Sequence, residues 1–236
     1  MTSKPPVERV ILFDIDGTLV SAGPLGAEVF DRAIEAVVGE QPNERILMSG
    51  KTDPVIVREY MELMKLDAHV HVPRILAQLE RELAAVASEL ASSGQALPGA
   101  HELLEELSRD PRLHLSVLTG NIAPNAVVKL SAFGLDKWLD METGAYGSDS
   151  DVRPELVPVA LGRLESLRGI RLKAGQAWLV GDTPRDFDAA RGAGAHAVLV
   201  ATGRYSVPEL ASLEADAVVP DFTDTKAVVQ LLTAGL

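Results

Sequence analysis

Hydrophobic positions follow two rhythms along this chain. Before residue 21 and after residue 97, short apolar runs alternate with stretches at helical spacing. Between them the spacing is helical throughout. Val10-Ile11-Leu12-Phe13 is a continuous apolar run, the pattern of a strand buried on both faces. Residues 1–9 read as a loose, proline-bearing lead-in, and Ser21-Ala22-Gly23-Pro24 as a turn. The segment 27–38 places Phe30, Ala33, Ile34 and Val37 on one face. The segment 53–64 does the same with Val57, Tyr60, Met61 and Met64, and 75–90 with Leu76, Leu79, Leu83, Val86 and Leu90. No strong strand interrupts them, so a helical module is inserted directly after the first strand. Ser92-Ser93-Gly94-Gln95 reads as a hinge.

After Pro98-Gly99 the rhythm changes. Helices are expected over 100–108, 125–132, 156–167, 187–193, 207–213 and 225–232. Strands are expected over 113–118, 177–180, 196–201 and 217–219, with a weaker one at 141–146. Alternating strands and helices imply right-handed crossovers and a mainly parallel sheet. The expected fold is α/β: a doubly wound, Rossmann-like core formed by 1–21 and 97–236, with a small helical cap at 22–96.

Composition narrows the function. The chain has 236 residues, enough for a large core, and 47% of them are hydrophobic. Only 4% are aromatic, so aliphatic residues and alanine must build that core. The net charge of −12 argues against nucleic acid or an anionic membrane surface as partner. It leaves room for a small phosphate ester, because a metal and a few local cations can reverse the field in one cleft. No cysteine is present, which excludes disulfides and thiolate chemistry. No signal peptide or membrane-spanning run is recognised, and a cytoplasmic location is expected.

Candidate chemistry gathers at strand ends. The first strand runs into Asp14-Ile15-Asp16-Gly17-Thr18. Strand alternation would send Asp14 and Asp16 to the same side, where they repel unless a divalent cation joins them. Hard Mg²⁺ prefers such oxygen ligands, and Gly17 permits a tight turn. The next strand ends in Thr119-Gly120-Asn121, a set that suits an anion or simply caps a helix. Another ends in Gly181-Asp182-Thr183-Pro184-Arg185-Asp186, a second acidic strand end. Arg153 stands just before Pro154 at a helix start. Gly50-Lys51-Thr52 mimics the end of a P-loop, but Arg45 occupies the first glycine position and no strand precedes it. The five histidines show no zinc spacing.

Taken together, these residues resemble the haloacid dehalogenase superfamily of phosphotransferases, whose four motifs appear in order across almost the whole chain. Asp14-Ile15-Asp16-Gly17-Thr18 is similar to motif one, Thr119 to motif two and Gly181 to Asp186 to motif four. The helical insert resembles the family's small cap, and phosphoglycolate phosphatase-like members are the most similar. Motif three departs: Arg153 stands where a lysine is usual, exchanging a point charge for a planar fork.

The resemblance implies a phosphatase with Mg²⁺ as cofactor and a small-molecule phosphate ester as substrate. Asp14 would be the nucleophile and Asp16 the acid–base. Asp14, Asp182 and the Asp16 carbonyl would hold the metal, with Asp186 and Gly17 in support. Thr119, Gly120, Asn121 and Arg153 would bind phosphoryl oxygens. Gly50, Lys51 and Thr52 would form a substrate-reading cap loop. A monomer or homodimer is expected. The alternatives are a sugar-phosphate mutase, a phosphonatase using Lys51, and a non-catalytic ligand-binding protein of the same fold.

Overall fold

The computed structural model describes residues 5–236, so the first part of the expected lead-in, residues 1–4, lies outside the described residues. The chain leaves β1 (Arg9–Phe13) through a turn to β2 (Val20–Ser21). Four helices follow: α1 (Leu25–Val38), α2 (Asp53–Leu63), α3 (Ala68–Ala85) and α4 (Ala87–Ser93). β3 (Gln95–Ala96) then pairs antiparallel with β2, joining the two ends of the helical insert. The rest alternates: α5 (Ala100–Ser108), β4 (Leu113–Val117), α6 (Ala123–Ala132), α7 (Leu156–Arg168), β5 (Ala177–Gly181), α8 (Pro184–Ala193), β6 (His196–Val200), α9 (Val207–Ala211), β7 (Ala217–Val219) and α10 (Thr225–Thr233).

Five strands form one parallel sheet in the order β4-β1-β5-β6-β7. Side-chain alternation sorts β1 between two cores. Ile11 and Phe13 pack with Leu103 and Leu107 of α5, Leu130 of α6, and Val228 and Leu232 of α10. Val10 and Leu12 pack on the other face with Leu156 and Val157 of α7 and Ala189 and Ala190 of α8. This two-sided burial explains why β1 reads as an unbroken apolar run.

The insert has its own core, built by Phe30 and Ile34, Val57, Tyr60 and Met61, Leu79 and Leu83, and Leu90. Helix α6 touches both bodies. Its Ala126 and Leu130 face the sheet, while Val128, Ala132 and Phe133 just beyond it lie against the cap.

The structure differs from the sequence reading at several elements. Helix α3 begins seven residues earlier than the apolar spacing indicates. Residues 68–74 have little apolar face, and Asp67 starts the helix by accepting a hydrogen bond from the His69 N–H at 2.9 Å. The helical stretch ending near residue 90 breaks at Val86, and the expected hinge is partly helix, since α4 runs to Ser93. The weak strand at 141–146 is a 3-10 turn, Met141–Thr143, with a single bridge between Leu118 and Ala145. The Asp140 side chain caps that turn from the Glu142 N–H at 3.2 Å, and Gly144 ends it.

Candidate active site

Sheet order and register bring the polar strand ends together. β1 lies between β4 and β5, and Phe13 stands opposite both Val117 and Val180. The chain beyond each strand therefore emerges side by side, at the carboxyl ends where open α/β sheets bind ligands. Asp14, Thr119 and Asp182 line one cleft there. The Asp14 N–H still donates to the Val180 carbonyl at 2.9 Å, which fixes its backbone.

Asp14 is buried, and its Oδ2 lies 3.1 Å from Arg153 Nη2. The same nitrogen donates to Asp186 Oδ1. Asp186 is fully buried, and its other oxygen closes the start of α8. Asp186 Oδ2 accepts from the Thr183 N–H at 3.0 Å and from Thr183 Oγ1 at 2.7 Å. Asp186 is thus both a helix cap and the anchor of Arg153. Arg153 also donates to the Gly50 carbonyl of the cap at 3.4 Å. Burial opposes its charge, but Asp14 and Asp186 hold its proton more firmly than usual.

Oxygens of Asp14, Asp182 and Asp186 lie within 4.8 Å of one another, all buried. Burial raises the pKa of Asp14, Arg153 opposes the rise, and Asp186 adds to it. Burial, Asp186 and Asp14 raise that of Asp182. One guanidinium does not neutralise three carboxylates, so the cluster retains the deficit of positive charge that a hard divalent cation would remove. The donor set fits such a cation. Gly17 is required beside it: its φ is +84°, and a Cβ there would run into the Asp182 carboxylate. Thr18 Oγ1 donates to Asp182 at 3.3 Å.

Asp16 does not join this cluster through its side chain. The strand stops at Phe13 and the chain turns at Gly17, so alternation does not carry across. Asp16 Oδ2 instead accepts from Lys129 Nζ at 2.6 Å and from Asn121 Nδ2 at 2.7 Å. Lys129 also donates to Asn121 Oδ1 at 2.6 Å, and Asn121 Nδ2 donates to Thr119 Oγ1 at 2.9 Å. The Asn121 side chain is therefore committed to its neighbours, whereas the Thr119 hydroxyl, which accepts this bond, keeps its own proton to donate.

Sequence reasoning missed Lys129. The only signal was a lone lysine within the apolar run of α6, and helical periodicity gives no reason to aim it at a residue 113 positions earlier.

The cap loop sits directly on the strand ends. The Asp53 N–H donates to the Gly120 carbonyl at 2.7 Å, and the Asp53 carboxylate accepts from the Ile122 N–H at 2.8 Å. A Cβ at Gly120 would strike the Lys51 carbonyl, so Gly120 is a docking point for the cap. Lys51 lines the cleft but pairs with Glu59 of the helix that follows it, α2. Thr52 is buried at the start of α2. Burial raises the Asp53 pKa to about 7, against the pull of Lys129 and the Ile122 N–H. Phe30, Met48 and Ile56 supply an apolar wall.

This arrangement belongs to a known class. A family model described as haloacid dehalogenase-like hydrolase matches residues 11–200. The chain is a member of that family, and a hydrolase. It is 30% identical to a plasmid-encoded phosphoglycolate phosphatase of Cupriavidus necator, over 94% of this chain and 92% of the relative. It is 26% identical to the phosphoglycolate phosphatase of Caulobacter vibrioides, over 95% and 92%. The crystal structure of CbbY from Rhodobacter sphaeroides, a complex with phosphate, shares the fold with a TM-score of 0.71 at 23% identity, covering 92% of this chain and 96% of that one. Among the described residues no helix is long and apolar enough to cross a membrane.

Proposed function

We propose that the chain is a Mg²⁺-dependent phosphatase acting on a small phosphate monoester of the phosphoglycolate type. The observation that supports this most is the buried Asp14 carboxylate, held at a parallel strand end between Arg153 and a cation-deficient acidic cluster. Relatives described as phosphoglycolate phosphatases supply the substrate class.

Asp14 attacks phosphorus through a carboxylate oxygen, and the ester P–O bond breaks. Asp16 carries a proton to the departing alcohol oxygen. It then takes one from the water that cleaves the aspartyl-phosphate, which releases phosphate and restores Asp14. Arg153 and the Thr119 hydroxyl meet the charge on the phosphoryl oxygens. Asp14, Asp182 and the Asp16 backbone carbonyl would hold Mg²⁺, which when bound offsets the charge shared by nucleophile and substrate. Asp186 supports the set by fixing Arg153 and the start of α8. The cap loop at Gly50, Lys51 and Thr52 covers the cleft and excludes water. The cytoplasm, with its Mg²⁺ and small phosphate esters, is the proposed setting.

The test is phosphate release from a panel of monoesters including phosphoglycolate, with Mg²⁺ and with chelator. Metal-dependent release supports the reading. A folded protein that releases phosphate from none of them contradicts it.

A further inference from the structure

Among the described residues, Lys129 is the one buried cation in the cleft that the proposed chemistry leaves without a task. Its side chain is 9% exposed, while that of Asp16 is 43% exposed. Burying an ammonium is costly unless it is paired and hydrogen-bonded. Lys129 meets that condition through two partners only a few ångströms apart, Asp16 Oδ2 and Asn121 Oδ1, both at 2.6 Å. Asn121 Nδ2 reaches the same Asp16 oxygen at 2.7 Å. Two donors are therefore clamped on Oδ2, and among the described residues no hydrogen bond reaches Oδ1.

We infer that Lys129 is a positioning residue for the acid–base carboxylate, fixing the Asp16 rotamer so that Oδ1 is the oxygen that carries the transferred proton. This rests on the phosphatase reading above. An oxygen that already accepts from an ammonium and an amide has little room for a proton between them. The free oxygen does, and it belongs to a side chain open to the cleft. In the first half-reaction the Asp14–phosphorus bond forms and the ester bond breaks, and the Oδ1 proton moves to the alcohol oxygen. In the second, Oδ1 takes the proton lost by water. Lys129 gives up no proton in either step.

Its place in the fold explains how it is held. Helix α6 is packed on one side by the sheet and on the other by the cap, and Lys129 is buried on that helix. Asn121 is fixed in turn by Thr119 Oγ1. The acid–base group is thereby tied to the strand end next to that of the nucleophile, without relying on the mobile reach of an unpartnered side chain.

The experiment compares Lys129→Met with wild type on two monoesters, an alkyl phosphate and a p-nitrophenyl phosphate, reading alcohol release in a single turnover. The alkyl ester needs a proton on its leaving oxygen, and the nitrophenyl ester scarcely does. The alkyl rate is expected to fall by roughly ten-fold or more relative to the nitrophenyl rate. KM should change little, and Asp16→Asn should show the same bias. Lys129→Arg should recover part of the alkyl rate. Should Lys129→Met fail to fold, Lys129→Arg carries the comparison, with a smaller bias of the same sign.

Equal losses on both esters would overturn the inference, since a packing defect does not sense the leaving group. So would no loss at all. If the wild type turns over both esters and only the bias is missing, the positioning role fails and the phosphatase reading stands. If the wild type turns over neither, both fail.

Discussion

Arg153 spans two buried carboxylates: one nitrogen stands 3.1 Å from Asp14 and bonds to Asp186 as well. That nitrogen holds the proposed nucleophile against the start of α8, while the other arm of the guanidinium fork reaches the Gly50 carbonyl of the cap. Replacing it with methionine strands two buried acids. Arg153→Met is therefore expected to lose about 3–5 kcal/mol of stability. Arg153→Lys, which keeps the charge but not the fork, should lose less. Urea denaturation of the metal-free proteins at neutral pH checks the order, and equal stability of Arg153→Met and wild type would contradict it.

Asp182 links the acidic cluster to metal binding. Burial, Asp186 and Asp14 raise its folded pKa above the ordinary carboxylate value. The folded state thus holds a proton that the unfolded chain releases. Stability from this group is greatest at acid pH and is lost as pH rises through the raised pKa. A cation competes with that proton, so Mg²⁺ should raise Tm more at pH 8 than at pH 5. Asp182→Asn should abolish the Mg²⁺-dependent rise while leaving the metal-free protein as stable as wild type or more so. Differential scanning calorimetry reads both.

Asp53 offers a pH dependence located at the cap. Its folded pKa is raised to about 7 by burial, from an ordinary value of 3.8. The sign is again loss of stability with rising pH, between about pH 4 and pH 7, at up to about 1.4 kcal/mol per pH unit. Asp53→Asn keeps an acceptor for the Ile122 N–H but cannot ionise. Its stability should fall less steeply across that window. An unchanged slope in urea melts at several pH values would count against this role.

Gly120 should matter for its missing side chain. A Cβ would strike the Lys51 carbonyl, while the Gly120 carbonyl accepts from Asp53. Gly120→Ala must push the cap loop away from the strand end, at a cost of roughly 1–3 kcal/mol. KM for the best monoester should rise in a protein that remains folded. An unchanged KM would mean that the loop does not help to form the substrate site.

Much of the fold was legible in the sequence because β1 is buried on both faces and the later strands alternate with amphipathic helices. The convergence of the polar strand ends was legible for a related reason: Asp14, Thr119 and Asp182 each follow an apolar run, and adjacent parallel strands must bring such ends together. Relations across helices were not legible. Lys129 reaches Asp16 from α6, and Asp53 reaches Ile122 from the cap, through packing that local spacing does not encode. The different directions of Asp14 and Asp16 depend on where β1 stops, and the apolar run alone does not define that point. Helix α3 was read short because its first turns carry few apolar residues and a proline.

The central claim is that Asp14 takes the phosphoryl group. The direct measurement is to quench the enzyme in acid during turnover of its best monoester, reduce the acyl phosphate with borohydride and map the modified residue by peptide mass spectrometry. The account predicts reduction at Asp14 alone, dependent on Mg²⁺ and absent in Asp14→Asn, which should also lose turnover. Turnover that continues in Asp14→Asn, or modification at another residue, would contradict it.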